Sequence, residues 1–276
     1  MLAYIHWNIN PEIFHLGPFS IRYYGLMWAL AFYFGYVLFN RFVKREKLPE
    51  GFLDSLTMYM IVGTVVGARL GHCLFYEPKF YLSHPLEILE IWHGGLASHG
   101  AAIGILIALY LFARKQKVPM LYVLDRVVIA VALGGVFIRL GNLFNSEIYG
   151  IETTMPWGFI FERNNEFFPK HPTQLYEALS YLVIFFVLYW YYRKKDAKFN
   201  MGSIFGAFLI LLFGARFLIE YVKEPQVEFE KHMMLNMGQW LSVPFILAGI
   251  VFLLYSKYYS KVFIPEPAKN SVKKKK

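Results

Sequence analysis

The chain alternates between long apolar stretches and short polar segments from end to end. Seven stretches stand out, at 21–40, 52–76, 96–113, 121–141, 176–192, 201–221 and 237–256. A helix rising about 1.5 Å per residue needs about 20 residues to cross about 30 Å of hydrocarbon, so the shorter stretches must take in flanking residues or cross thinned bilayer. Helices satisfy their own backbone groups, which an isolated strand in lipid cannot do. The pattern therefore predicts an all-α integral membrane protein with seven transmembrane helices. The longest interruption, 142–175, is rich in Gly, Pro, aromatic and charged residues and predicts a loop or cap at one membrane face. No internal repeat and no stretch of soluble-domain length is present, so 1–276 reads as a single membrane-embedded domain with a short basic tail at about 257–276.

Basic residues fix the expected orientation. After the first, third, fifth and seventh stretches stand Arg41, Lys44, Arg45 and Lys47; Arg114, Lys115 and Lys117; Arg193, Lys194, Lys195 and Lys198; then Lys257, Lys261, Lys269 and the lysines at 273–276. The opposite-side segments hold only Lys79, Arg163, Lys170, Lys223 and Lys231. This alternation predicts an outer N-terminus and a cytoplasmic C-terminus, and an even number of spans would break it. The start of the chain lacks a charged signal-peptide head and a clear small-residue cleavage pattern, so the first stretch reads as a retained span.

Composition agrees: 57% of the residues are hydrophobic and 17% charged, against about 25% charged in a soluble domain. The net charge of +9 needs no nucleic-acid partner, because the lysine-rich tail is explained as an anchor at anionic lipids. The single Cys73 excludes an intrachain disulfide and a thiolate metal cluster and reads as a packing residue. No His-Glu-His pattern or other metal-ligand spacing is present.

Five arginines fall within the apolar stretches: Arg22, Arg69, Arg126, Arg139 and Arg216. An unpaired charge at membrane depth is expensive, which points to pairing or to a polar substrate. Asn142, Asn145 and Glu147 follow Arg139 closely, and Glu220 follows Arg216 by four, one helical turn on the same face. A structural ion pair and ligand or catalytic work both fit that spacing. The third stretch is approached through Trp92-His93-Gly94-Gly95-Leu96-Ala97-Ser98-His99-Gly100, whose glycines permit close backbone approach and whose His99 brings a proton-transfer group to the outer boundary. A hydrogen-bonded structural histidine would look the same. Tyr24 opens the first stretch, and His171-Pro172-Thr173-Gln174-Leu175-Tyr176-Glu177 leads into the fifth, where Gln174 and Glu177 can orient arginines or headgroup oxygens. The start of the seventh stretch, from Met237 to Pro244, is explained mostly by helix initiation and packing.

Arg139-Leu140-Gly141-Asn142, followed by Asn145, Glu147 and Gly150, resembles the signature of bacterial prolipoprotein diacylglyceryl transferases. The resemblance extends in family order through Tyr24-Gly25, Gly94-Gly95 to His99-Gly100, His171-Pro172 to Glu177, Arg216 to Glu220 with Pro225, and Gly238-Gln239 with Ser242 to Pro244. Ile138 stands where the family usually has Gly, Leu143 where it has an aromatic, and the usual proline in the middle of span four is absent, with Val131 following Ala130.

The resemblance implies a seven-helix enzyme of the bacterial inner membrane with its active site toward the outer leaflet. It would transfer a diacylglyceryl group from phosphatidylglycerol to the lipobox cysteine of a prolipoprotein signal peptide and release glycerol-1-phosphate, with neither metal nor organic cofactor. His99, Arg139, Glu147, Arg216 and Glu220 would be catalytic. Tyr24, Asn142, Asn145, Gly150, His171, Gln174 and Glu177, together with the two arginines, would hold the substrate. The nucleophile belongs to the substrate, not to Cys73. The nonenzymatic alternative is a transporter or binding protein for an anionic solute or lipid, for which membrane-depth Arg, Glu and His serve equally well.

Overall fold

The computed structural model describes residues 4–16, 19–90, 95, 97–225 and 233–265. His93 and Gly94 and the lysines at 269 and 273–276 lie outside the described residues. The helices are α1 (Tyr23–Glu46), α2 (Phe52–Phe75), α3 (Pro78–Ser83), α4 (Ser98–Gln116), α5 (Met120–Phe144), α6 (Thr173–Lys194), α7 (Ser203–Ile219) and α8 (Met237–Tyr258). Six are long and apolar enough to cross a membrane: α1, α2, α5, α6, α8, and α7 together with the 3-10 turn Glu220–Val222 that continues it. The remaining apolar stretch of the sequence, 96–113, falls on α4, a helix of 19 residues with Arg114 and Lys115 in its last turn that is not among these six. The apolar pattern gave no sign of four short strands, β1 (Ile5–Trp7), β2 (Glu12–Leu16), β3 (Phe19–Arg22) and β4 (Phe159–Phe161). Segments of three to five residues are too short for a period-two alternation to register.

The helix ends follow local chemistry. Lys47 and Lys117 adopt left-handed backbone just beyond α1 and α4, and Pro49 and Pro119 follow each by two residues. Asn236 caps α8 in a reciprocal capping box with Gln239, whose backbone N–H donates to Asn236 Oδ1 at 2.9 Å while its side-chain oxygen accepts from Asn236 N at 3.1 Å. The absence of a proline leaves α5 unbroken over 25 residues.

The chain divides into two compact units, Met1–Leu38 with Asp125–Phe263, and Phe39–Leu124 with Ile264–Lys276. In the second, α2 and α4 meet backbone to backbone. Gly63, Gly67 and Gly71, four residues apart along α2, face Gly100, Gly104 and Ala108 along α4; a Cβ on Gly67 would stand 2.7 Å from the Gly104 Cα. Helices in lipid associate through such close packing, because the lipid supplies no hydrophobic drive between them. Arg69, buried in α2, donates to the carbonyls of Glu87 (2.6 Å), Ile88 (2.9 Å) and Gly95 (3.3 Å), and the Ala97 N–H donates to Ala68 O at 2.9 Å. The start of α4, and with it His99, is thereby tied to α2.

In the first unit α5 is the most enclosed of the long helices, with half of its most apolar window buried, against 17% for α1. The apolar remainder faces outward, as lipid-facing helices require and a water-soluble surface does not tolerate. Phe34 of α1 stacks on Phe137 of α5 with ring centroids 5.3 Å apart. At the other end of α5, buried Asp125 accepts from the N–H groups of Gly202 (2.7 Å) and Phe205 (2.8 Å), capping α7 from a neighbouring helix. Strand β1 pairs in parallel with β4 (Ile5 with Phe159, Trp7 with Phe161), and β2 and β3 form an antiparallel hairpin. Trp7 also donates through Nε1 to Leu143 O at 3.0 Å. Leu143, Phe159 and Phe161 form a buried cluster with Trp7, Tyr149 and Leu175 packed on it, so the leucine that departs from the family pattern fills a place in this core.

Replacing Gly104 by Leu is expected to cost about 1–3 kcal/mol or more through overpacking against α2, read as a fall in the thermal midpoint in detergent. Gly214→Ala, in α7 with open space around it, is expected to be neutral or stabilising by up to about 1 kcal/mol. Equal responses at the two positions would contradict the packing account.

Candidate active site

The C-terminal end of α5 does not simply stop; it winds into a tight turn that carries most of the polar residues singled out in the sequence. Asn145 N donates to Gly141 O, Ser146 N to Leu143 O and Glu147 N to Asn142 O, at 2.9–3.1 Å. Ser146 and Ile148 have left-handed backbone (φ 55° and 60°), and for β-branched Ile148 that conformation is strained. The turn bends Glu147 back onto the helix end, where its Oε1 accepts from Asn142 Nδ2 at 2.7 Å and Asn145 Nδ2 at 3.3 Å. Asn142 Oδ1 in turn accepts from Arg139 Nη1 at 3.2 Å. Arg139, Asn142, Asn145 and Glu147 thus form one connected group.

Glu177 joins that group to α7. Its side chain is 1% exposed; Oε2 lies 2.6 Å from Arg139 Nε, and Oε1 lies 3.4 Å from Lys223 Nζ. Lys223, also buried, sits 3.5 Å from Glu220 Oε2. Arg139, Glu177, Lys223 and Glu220 therefore alternate in sign along a chain of contacts. Tyr181, one turn beyond Glu177 on α6, places its hydroxyl against the Arg139 guanidinium and within range of the Arg216 charge. Arg216 itself is partly buried and has no ion-pair or hydrogen-bond partner among the described residues. The Arg216–Glu220 pair that the four-residue spacing suggests is not formed. Glu220 begins a 3-10 turn, in which residues three apart eclipse, and this brings Lys223 to the carboxylate instead.

The segment entering α6 is laced to the turn after α5. Gln174 Nε2 donates to Glu147 O (2.6 Å), Thr173 Oγ1 to Ile148 O (2.8 Å), Gly150 N to His171 O (2.8 Å) and His171 N to Ile151 O (3.0 Å). Gly150 also forms a bridge to Lys223, and a Cβ there would collide with Val222 O and the His171 and Thr173 side chains, so only glycine fits. Gln174 is fully buried, and its Oε1 has no partner among the described residues. Burial lowers the pKa of His171 from the usual imidazole value, so the ring is neutral near pH 7. Tyr24, in the first turn of α1, packs its ring against Gly141, where a Cβ would approach Cδ2 to 2.8 Å.

The first unit thus brings together Arg139, Asn142, Asn145, Glu147, Gly150, His171, Gln174, Glu177 and Glu220, with Tyr24 packed on α5 and Arg216 one turn before Glu220. His99 belongs to the second unit, exposed on the first turn of α4. Sequence reasoning missed Lys223 and Tyr181. A lysine three residues after Glu220 was visible as a charge, but nothing local announced its burial. A second charged cluster lies in the loop between α5 and α6. Lys170, buried, stands within 3.4 Å of Glu166, 3.5 Å of Glu224 and 3.9 Å of Glu152. Burial disfavours its ammonium, but the carboxylates of Glu224, Glu166 and Glu152 outweigh that and hold its pKa above the usual lysine value. This cluster fastens the loop to the segment after α7.

A family model described as prolipoprotein diacylglyceryl transferase matches residues 11–255, a span that contains every residue of both clusters. Proteins called phosphatidylglycerol–prolipoprotein diacylglyceryl transferase are similar over nearly their whole length. That of Tolumonas auensis is 50% identical over 253 residues, covering 91% of this chain and 97% of its own. That of Chloroherpeton thalassium is 47% identical over 92% and 95%, and that of Bacteroides fragilis 44% identical over 92% and 96%. With the family match running from residue 11 to residue 255 and relatives up to 50% identical over about nine-tenths of the chain, the chain belongs to the prolipoprotein diacylglyceryl transferase family.

Proposed function

We propose that the protein transfers the diacylglyceryl group of phosphatidylglycerol to the lipobox cysteine thiol of a prolipoprotein, forming a thioether and releasing glycerol-1-phosphate. The names of the relatives point to the same donor and acceptor. The observation that carries the reading is the distribution of charge where the end of α5, the start of α6 and the end of α7 meet. Arg139 and Lys223 are matched by Glu177 and Glu220, whereas Arg216 stands beside them without a counter-ion among the described residues. A guanidinium held in that state at the end of an apolar bundle suits a phosphate, to which it offers a planar set of charge-assisted donors.

In the reaction, the substrate sulfur bonds to the glyceryl carbon as the bond from that carbon to the phosphate oxygen breaks. The thiol proton passes to a base, and the electron pair of the broken bond leaves on glycerol-1-phosphate. Arg216 stabilises the charge that grows on the departing phosphate, and Arg139, held by Glu177 and Asn142, adds a second oriented donor. Asn142, Asn145 and Glu147 organise the phosphate end, Tyr24 positions the headgroup, and His99 acts as the base. The whole chain acts as one membrane-embedded domain. It crosses the bacterial inner membrane seven times, with α4 as the third span, the N-terminus outside and the basic tail in the cytoplasm, so that the site faces the outer leaflet and is capped by the α5–α6 loop.

Purified protein supplied with phosphatidylglycerol and lipobox peptides is expected to add one diacylglyceryl group, read by mass, to the peptide carrying Cys and none to its Ser counterpart. A folded preparation that leaves the Cys peptide unmodified contradicts the assignment and favours a transporter or binding protein. His99→Gln is expected to lower turnover by about 100-fold or more, the scale set by loss of a general base; undiminished turnover removes His99 from that role.

A further inference from the structure

His171 is locked at both ends of its residue. Its N–H and carbonyl are engaged by Ile151 and Gly150, Pro172 follows, and its ring lies edge-on to Tyr176 with centroids 5.9 Å apart. The Tyr176 hydroxyl sits 3.0 Å from His171 Nδ1, and Trp157 Nε1 lies 2.8 Å from the same hydroxyl. Directions can be assigned from chemistry alone. An indole N–H can only donate, so the Tyr176 oxygen accepts from Trp157. The single hydroxyl proton then has one acceptor among the described residues, His171 Nδ1. A neutral imidazole that accepts at Nδ1 carries its proton on Nε2, and His171 Nε2 has no partner among the described residues.

We propose that Trp157 and Tyr176 are positioning residues that hold His171 as its Nε2–H tautomer, so that Nε2–H donates to an oxygen of the phosphatidylglycerol headgroup phosphate. This rests on the transfer reaction proposed above. A neutral donor suits this position. It steadies the phosphate in substrate and in leaving group alike, while adding no further positive charge to hold back the product. The relay also gives a use to Trp157, a half-exposed loop tryptophan whose N–H is spent on a tyrosine oxygen.

A set of substitutions separates this role from simple packing. A glutamine side chain can place an amide N–H near the position of Nε2, and an asparagine near that of Nδ1. In the peptide-transfer assay His171→Asn is expected to lower kcat/KM for phosphatidylglycerol about tenfold more than His171→Gln, the scale of one hydrogen bond to a charged group. Tyr176→Phe is expected to cost about tenfold in the native background and nothing further on His171→Gln, because an amide has no tautomer to fix. If Tyr176→Phe costs the same in both backgrounds, or if His171→Asn outperforms His171→Gln, the proposal is overturned. Should Tyr176→Phe fail to fold, Trp157→Phe replaces it in the same cycle, with the same two outcomes. Absence of transfer by the unsubstituted protein would instead count against the reaction assigned to it.

Discussion

The carboxylate of Glu177, shut away from solvent and shared between Arg139 and Lys223, is the interaction on which the site depends. Removing a carboxylate from water costs several kcal/mol, which only close and well-oriented partners offset, and taking away one partner of such a group typically costs about 3–5 kcal/mol. Three chain segments are committed to meeting that requirement. α5 brings Arg139, α6 brings Glu177 and Tyr181, and the turn after α7 brings Glu220 and Lys223. Glu177 stands against Arg139 Nε as its counter-ion, and Nη1 of the same guanidinium donates to Asn142 Oδ1. Because Glu177 and Glu220 are both committed to Lys223, neither is spent on Arg216. The one interaction thus both orients an arginine and releases another.

The loop from Ser146 to Pro172 supports this arrangement mechanically. The strained left-handed Ile148 is held by Thr173 on one side and by the Gln174 contact to Glu147 on the other. Backbone strain persists only where surrounding contacts over-determine it, and it gathers at functional sites. The aromatic cluster under β1 and β4 and the Lys170 carboxylate cluster hold the rest of the loop.

Much of the helical layout was legible, because seven apolar runs of near-membrane length leave few alternatives. Their ends were less so, for identifiable reasons. α6 begins at Thr173, not 176, since Thr173 and Gln174, polar in sequence, spend their donors on the carbonyls of 147–148 and can be buried. α1 runs on to Glu46 because a helix does not end where its apolar run does. Within the site, Arg139, Asn142, Asn145 and Glu147 were visible as a group since they are neighbours along the chain. The Arg139–Glu177 and Glu177–Lys223 pairs join positions 38 and 46 residues apart, beyond the reach of spacing arguments. Of the two readings that the Arg216–Glu220 spacing left open, the ion pair is not formed although the backbone between them is α-helical, with the Glu220 N–H bonded to Arg216 O; the carboxylate is taken by Lys223, whose burial spacing cannot foresee.

In the proposed reaction Arg216 is the cation reserved for the headgroup phosphate. Calorimetric titration of glycerol-1-phosphate into the purified protein and into Arg216→Met tests this directly. The expected result is a loss of affinity of about tenfold or more, the scale of a hydrogen bond between charged groups, with the thermal midpoint retained. Equal affinity in a folded Arg216→Met protein would contradict it.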